Sequence, residues 1–276
     1  MAFHKLIDKS GFRFSRVSKL ESNEYVILGN SRGVNSVNER FCVNDLGLRV
    51  INLSYNGLTP VLIDNIISDL NNMETFKKTT FLIEVSAFLG WEEVKTTEGC
   101  KSRLVLKYNE VVPDILLPFR HNFASVDSVY KKLYPLNSFF HLLNYNNEGF
   151  LRGMYYLNKT DNNWVNRKEI DQSLIEYYSN MNCIQFSFDK DNLDQFVNTM
   201  SNKNINFKFF MAPWHPSYKH KFVNYDMVLN IIESQYNINV IRLDNLTLDD
   251  SAFADGMHTN IKGAKYLSKV LLEHIN

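Results

Sequence analysis

Short apolar, β-branched runs alternate with longer amphipathic segments along most of the chain. Residues 25–28 (YVIL) form such a run, stopped by Gly29, and residues 49–53 (RVINL) form a second, closed by Asn56-Gly57. Residues 80–85 (TFLIEV), 207–212 (FKFFMA, stopped by Pro213) and 239–243 (NVIRL) follow. Between them apolar residues recur at helical spacing. Residues 59–70 predict a helix with Thr59 as N-cap and Pro60 at its first position. A second helix is predicted over 219–236, and a third from near His258 to about His274. Strands alternating with helices predict a three-layer α/β/α fold with a mainly parallel five-stranded sheet. Residues about 90–190 break this rhythm. They are rich in aromatics and Asn, and too long for a structureless loop inside one domain. They read as a mostly helical insertion into a single domain covering 1–276, between the third and fourth strands of the sheet and bordering its functional edge.

Composition adds a few boundaries. A chain of 276 residues with 20 Phe, 14 Tyr and 3 Trp can build a full core and is not disordered. Lys and Arg balance Asp and Glu at 30 each, which removes the simplest electrostatic case for a nucleic-acid partner and leaves only a local basic patch to make one; none is expected. Cys42, Cys100 and Cys183 lie far apart without a CxxC pair, which predicts free buried thiols and no metal site. No apolar run is long enough to span a bilayer, and the first residues carry charges where a signal peptide needs an apolar stretch. As it stands the chain is expected in the cytoplasm. A preceding segment, if one had been removed, would make it periplasmic or membrane-anchored. Oligomeric state is left open.

Two stretches carry chemistry. The first strand runs directly into Gly29-Asn30-Ser31-Arg32-Gly33, a G-x-S-x-G pattern. A nucleophilic serine needs exposure on a tight strand-to-helix turn, which flanking glycines permit. Near the other end stands Asp255-Gly256-Met257-His258. An Asp three residues before a His can accept the imidazole Nδ1–H and leave Nε2 as a base toward a serine. A plain glycine turn and an ordinary helix cap are the bland alternatives at these places.

The order of these stretches resembles the SGNH (GDSL-like) hydrolases. Gly29-Asn30-Ser31 is similar to block I of that family, Asn52-Leu53-Ser54-Tyr55-Asn56-Gly57 to block II and Asp255-Gly256-Met257-His258 to block V. The resemblance runs from about residue 24 to 274 and is weakest over the insertion. It implies Ser31 as nucleophile, His258 as general base and Asp255 as its orienting acid. It also implies an oxyanion hole from the Ser31 and Gly57 backbone N–H groups. The family's block III Asn is absent after the third strand, where Ser86 stands instead. Asn56, Ser86 and Asn122 are the candidate replacements.

The resemblance implies a serine esterase that removes O-acetyl groups from a carbohydrate and needs no cofactor. One alternative is an O-acetyltransferase acting on a bacterial surface polysaccharide, with acetyl-CoA as donor. Another is an inactive fold that binds glycans. Three residues are candidate substrate contacts. Arg32 suits an anionic group, or else a structural ion pair. Trp214 suits a sugar ring, or else a packed turn, and His215 adjoins it.

Overall fold

The computed structural model describes residues 25–54, 60, 63, 67, 79–94, 100 and 180–275. Its strands are β1 (Tyr25–Leu28), β2 (Val50–Asn52), β3 (Thr80–Glu84), β4 (Leu89–Val94), β5 (Cys183–Phe188), β6 (Asn206–Met211) and β7 (Val240–Arg242). Its helices are α1 (Ser31–Ser36), α2 (Glu39–Asn44), α3 (Lys190–Asn202), α4 (Pro216–Lys219), α5 (Tyr225–Tyr236) and α6 (Ile261–Glu273).

Five strands form one sheet in the order β2-β1-β3-β6-β7, and each neighbouring pair runs parallel. This is the flavodoxin-like doubly wound order, with the chain reversing direction across the sheet at β1 and β3. Alternation along the strands explains the layers. Val26, Leu28, Phe81, Ile83, Phe209 and Met211 face one apolar cluster, shared with Phe196 of α3 and Leu229 of α5. Ile27, Leu82 and Phe210 face the other, shared with Cys42 of α2 and Leu267 and Leu271 of α6. Helices therefore cover both faces, as the βα rhythm predicts. Within the helix predicted over 59–70, Pro60, Ile63 and Ile67 are helical and buried. The rest of that segment lies outside the described residues, as does nearly all of the insertion.

Three details differ from the sequence reading. The described edges of the insertion are strands: β4 and β5 pair antiparallel, from Leu89↔Phe188 to Val94↔Cys183. Their inward residues Leu89, Ile184, Phe186 and Phe188 join the core. The helix predicted over 219–236 forms only from Tyr225 onward, as α5, after the short α4 that ends at Lys219. Between them the chain runs beside β5, where Ile184 N–H donates to Lys221 O and Val223 N–H to Ile184 O, each at 2.9 Å. Asn224 completes this seam, donating to Phe186 O at 2.8 Å and accepting from Phe186 N–H at 2.6 Å. Backbone pairing with a strand thus overrides helical periodicity.

The third difference concerns the cysteines. Cys100 and Cys183 form a disulfide, so only Cys42 is a free thiol. Cys42 is buried, and that burial pushes its thiol up to about 12. Among the described residues no helix is long and apolar enough to cross a membrane.

Candidate active site

The site begins where β1 turns into α1. A Cβ at position 29 would lie 2.6 Å from Glu84 Cβ, and one at position 33 would lie 2.6 Å from Ser54 Oγ. Glycine at both places lets the turn press against β3 and the segment after β2. Asn30 caps α1, its side chain accepting from Arg32 N–H at 2.9 Å. Ser31 is therefore the first residue of a helix at the carboxyl end of the sheet, beside the β1/β3 switch point where open α/β sheets bind ligands. Asn52, at the end of β2, donates to Gly33 O at 3.0 Å and Val37 O at 3.1 Å, fastening this helix from below.

The second half of the site is the loop before α6. Phe253 and Thr259 form an antiparallel bridge, and Ala254 N–H donates to His258 O at 2.9 Å. Inside this tight loop Asp255 Oδ1 accepts from Met257 N–H at 2.7 Å and His258 N–H at 2.9 Å. The loop is also tied to its surroundings. His215 N–H donates to Gly256 O at 3.0 Å, and the Arg32 guanidinium Nη1 to Met257 O at 2.9 Å.

These halves meet. His258 Nδ1 lies 3.0 Å from each carboxylate oxygen of Asp255, and Nε2 lies 2.9 Å from Ser31 Oγ. A carboxylate only accepts, so Nδ1 carries the proton and donates. In the neutral ring Nε2 is then left as an acceptor for the serine hydroxyl. Burial alone would raise the pKa of Asp255. The hydrogen bond and charge of His258, with the two backbone donors, outweigh it and hold the carboxyl below its ordinary value. The side chains of His258 and Asp255 are 16% and 14% exposed, mostly but not fully buried.

The other candidates divide sharply. Arg32 is 2% exposed and Trp214 is 5% exposed. The guanidinium carbon stacks 3.3 Å from the Trp214 ring centroid, and Nε stands 3.5 Å from Glu84 Oε1. Arg32 is thus an interior ion pair, and Trp214 is its packed platform, donating to Tyr225 OH at 3.2 Å. Neither meets substrate as an exposed face would. His215 is also interior: its ring contacts Ser217 Oγ at 2.6 Å, Asp250 Oδ1 at 3.1 Å and the Phe253 ring. Burial lowers its pKa, against the Asp250 contact that raises it. Its contribution is to the loop behind His258, through the Gly256 bond.

Ser86 is occupied as well. Its hydroxyl donates to Glu84 Oε2 and accepts from Asn30 Nδ2 at 3.0 Å, so its proton is not aimed at an oxyanion. Gly57, Asn56 and Asn122 lie outside the described residues. Among the described residues, no group of three or more His, Cys, Asp or Glu side chains is placed to hold a metal ion.

Sequence reasoning passed over Glu84. It is fully buried at the end of β3, with Oε1 also accepting from Ala212 N–H at 3.3 Å. The signal was present: one acidic residue in the otherwise apolar run TFLIEV, where a central parallel strand carries apolar side chains on both faces.

No protein-family model matches the chain, and no curated protein matches it. Solved structures similar to it include a lipolytic protein of the G-D-S-L family from Desulfitobacterium hafniense DCB-2. That protein is 9% identical, at a TM-score of 0.41, over 91% of this chain and 99% of its own. They also include an acetyl xylan esterase, AlAXEase, 9% identical at a TM-score of 0.40, over 91% of this chain and all of its own.

Proposed function

We propose that the protein is a serine acyl-ester hydrolase that removes O-acetyl groups from a carbohydrate. The observation that carries this reading is the 2.9 Å contact between Ser31 Oγ and His258 Nε2, with Asp255 on the other ring nitrogen. In this reading the Ser31 oxygen attacks the ester carbonyl as its proton passes to Nε2. Asp255 stabilises the resulting imidazolium and keeps the ring in register. The tetrahedral intermediate collapses to an acyl-serine, and the C–O bond to the sugar breaks. The leaving sugar oxygen takes the proton from Nε2. Water then attacks the acyl-serine, giving its proton to Nε2. Acetate leaves as the serine oxygen recovers that proton. The Ser31 and Gly57 N–H groups are the proposed oxyanion donors.

The substrate class rests on the motif resemblance. A sugar hydroxyl in place of water would turn the same acyl-serine into a transferase intermediate. An inactive binding module has no use for a serine, imidazole and carboxylate in hydrogen-bonded series. Incubation with p-nitrophenyl acetate and acetylated xylo-oligosaccharides, with and without acetyl-CoA and unacetylated glycans, tests the reading. Acetate release from ester alone is the expected result. Acetyl transfer to glycan only would replace hydrolase by transferase, and no turnover of any ester would overturn both.

A further inference from the structure

Both residues that flank Ser31 are tied to one buried carboxylate. On the amino side, Asn30 Nδ2 donates to Ser86 Oγ at 3.0 Å, and Ser86 Oγ donates to Glu84 Oε2. On the carboxyl side, Arg32 Nε meets Glu84 Oε1 at 3.5 Å. Backbone and side chains thus close a ring: Glu84, Ser86, Asn30, Ser31, Arg32 and back to Glu84. The ring also has an outer arm. Arg32 Nη1 reaches Met257 O, the residue before His258, at 2.9 Å, while Nη2 donates to Ala212 O at the end of β6. Trp214 covers the guanidinium face at 3.3 Å. One planar fork therefore touches the nucleophile's turn, the base's loop and the central sheet.

We propose that Arg32 is a positioning residue, and that the Arg32–Glu84 pair sets the separation of Ser31 Oγ and His258 Nε2. The proposal rests on the serine-hydrolase reading above and assigns the pair a role within it. Three physical points carry it. A guanidinium presents donors in a fixed plane, so bonds to Met257 O and Ala212 O fix the loop in direction as well as distance. A lysine offers a single flexible point charge and cannot span both carbonyls in that way. Finally, a buried ion pair commonly adds no stability over apolar residues of similar volume, so fold stability alone gives no reason for a charge pair here.

The pair is tested by removing both charges together, since removing one leaves the other buried and unpaired. Arg32→Met/Glu84→Gln is compared with wild type in thermal unfolding, in p-nitrophenyl acetate kinetics and in the rate at which a fluorophosphonate labels Ser31. Displacement of a base by about 1 Å can cost about 100-fold in rate. The expected result is a folded protein whose kcat and Ser31 labelling rate both fall by about 30- to 100-fold, with KM within about twofold. Arg32→Lys keeps the charge and should fall between the two. A folded double variant with wild-type kcat and labelling overturns the proposal. Should the double variant not fold, wild-type kcat in Arg32→Lys overturns it, and a fall in kcat at constant KM supports it. Ser31→Ala separates the two levels of argument. Full esterase activity in Ser31→Ala overturns the serine-hydrolase reading and, with it, the positioning role. Loss of activity there together with an unaffected double variant overturns the positioning role alone.

Discussion

Thr259 donates its hydroxyl to Asn35 O at 2.7 Å, across 224 residues of sequence. The bond joins the residue after His258 to the helix that begins at Ser31, so the two halves of the site are stitched on a second side. Thr259 is 2% exposed, and Asn35 O has little water to turn to. Thr259→Val keeps the shape and removes the donor. It should cost about 1–3 kcal/mol, read as a lower midpoint in urea with an unchanged slope. Esterase turnover should fall more than substrate affinity. A variant with wild-type midpoint and kcat would show that the stitch is dispensable.

Ser31→Ala and His258→Ala should each lower kcat/KM for p-nitrophenyl acetate by at least about a thousandfold. Their melting temperatures should stay close to wild type, because neither side chain fills the core. Combining the two should cost little more than either alone, since the groups act as a unit. Asp255→Ala differs in kind. It also removes an acceptor for Met257 N–H and His258 N–H, so it should lose stability together with activity. Additive losses in the Ser31/His258 double variant would contradict a shared mechanism.

Acid should weaken the fold through Asp244. Burial of this carboxyl works to raise its pKa. Arg242, at 2.8 and 2.9 Å, and Lys219, at 3.2 Å, outweigh burial and hold it below its ordinary value. A carboxyl depressed in the folded state stabilises above its unfolded pKa, about 3.9, and that stability is lost as pH falls through the folded value. The native protein should therefore lose melting temperature steeply below about pH 4. Asp244→Asn should be less stable than wild type at pH 7, and the gap should narrow toward pH 3. A gap that is constant with pH would rule out this contribution. Asp255, also depressed, acts in the same direction and window.

The Cys100–Cys183 bond closes a loop with a sequence separation of 83. A cross-link over such a span contributes about 2–5 kcal/mol, chiefly by restricting the unfolded chain. Cys183→Ser should lower stability by that order. Denatured, unreduced protein should react with one equivalent of a thiol reagent, at Cys42, and with three after reduction. Three equivalents before reduction would show that the bond does not form. Disulfides persist in oxidising compartments, so the same count bears on where the protein works.

Much of this protein was legible locally. The run at residues 25–28 became β1 with those bounds, and all five sheet strands fell within a residue or two of their apolar runs. Ser31 in its glycine-flanked turn, and Asp255 beside His258, could be singled out because turn chemistry and three-residue spacing are properties of neighbouring positions. What the side chains meet across the fold could not be read that way. For Arg32 and Trp214 the sequence left a substrate contact and a structural role open, and the fold decides for the second: they stack on each other inside. The reason is that Glu84, Met257 and Ala212, which draw Arg32 inward, come from three distant segments that only the sheet order assembles. Asn224 stood inside a segment with helical spacing, yet its side chain pairs with the backbone of Phe186 and the helix begins only after it, at Tyr225. Cys100 and Cys183 carried no spacing signal, because their partnership depends on where β5 lies. Periodicity records which face of an element is buried; the identity of the buried neighbour is decided by topology.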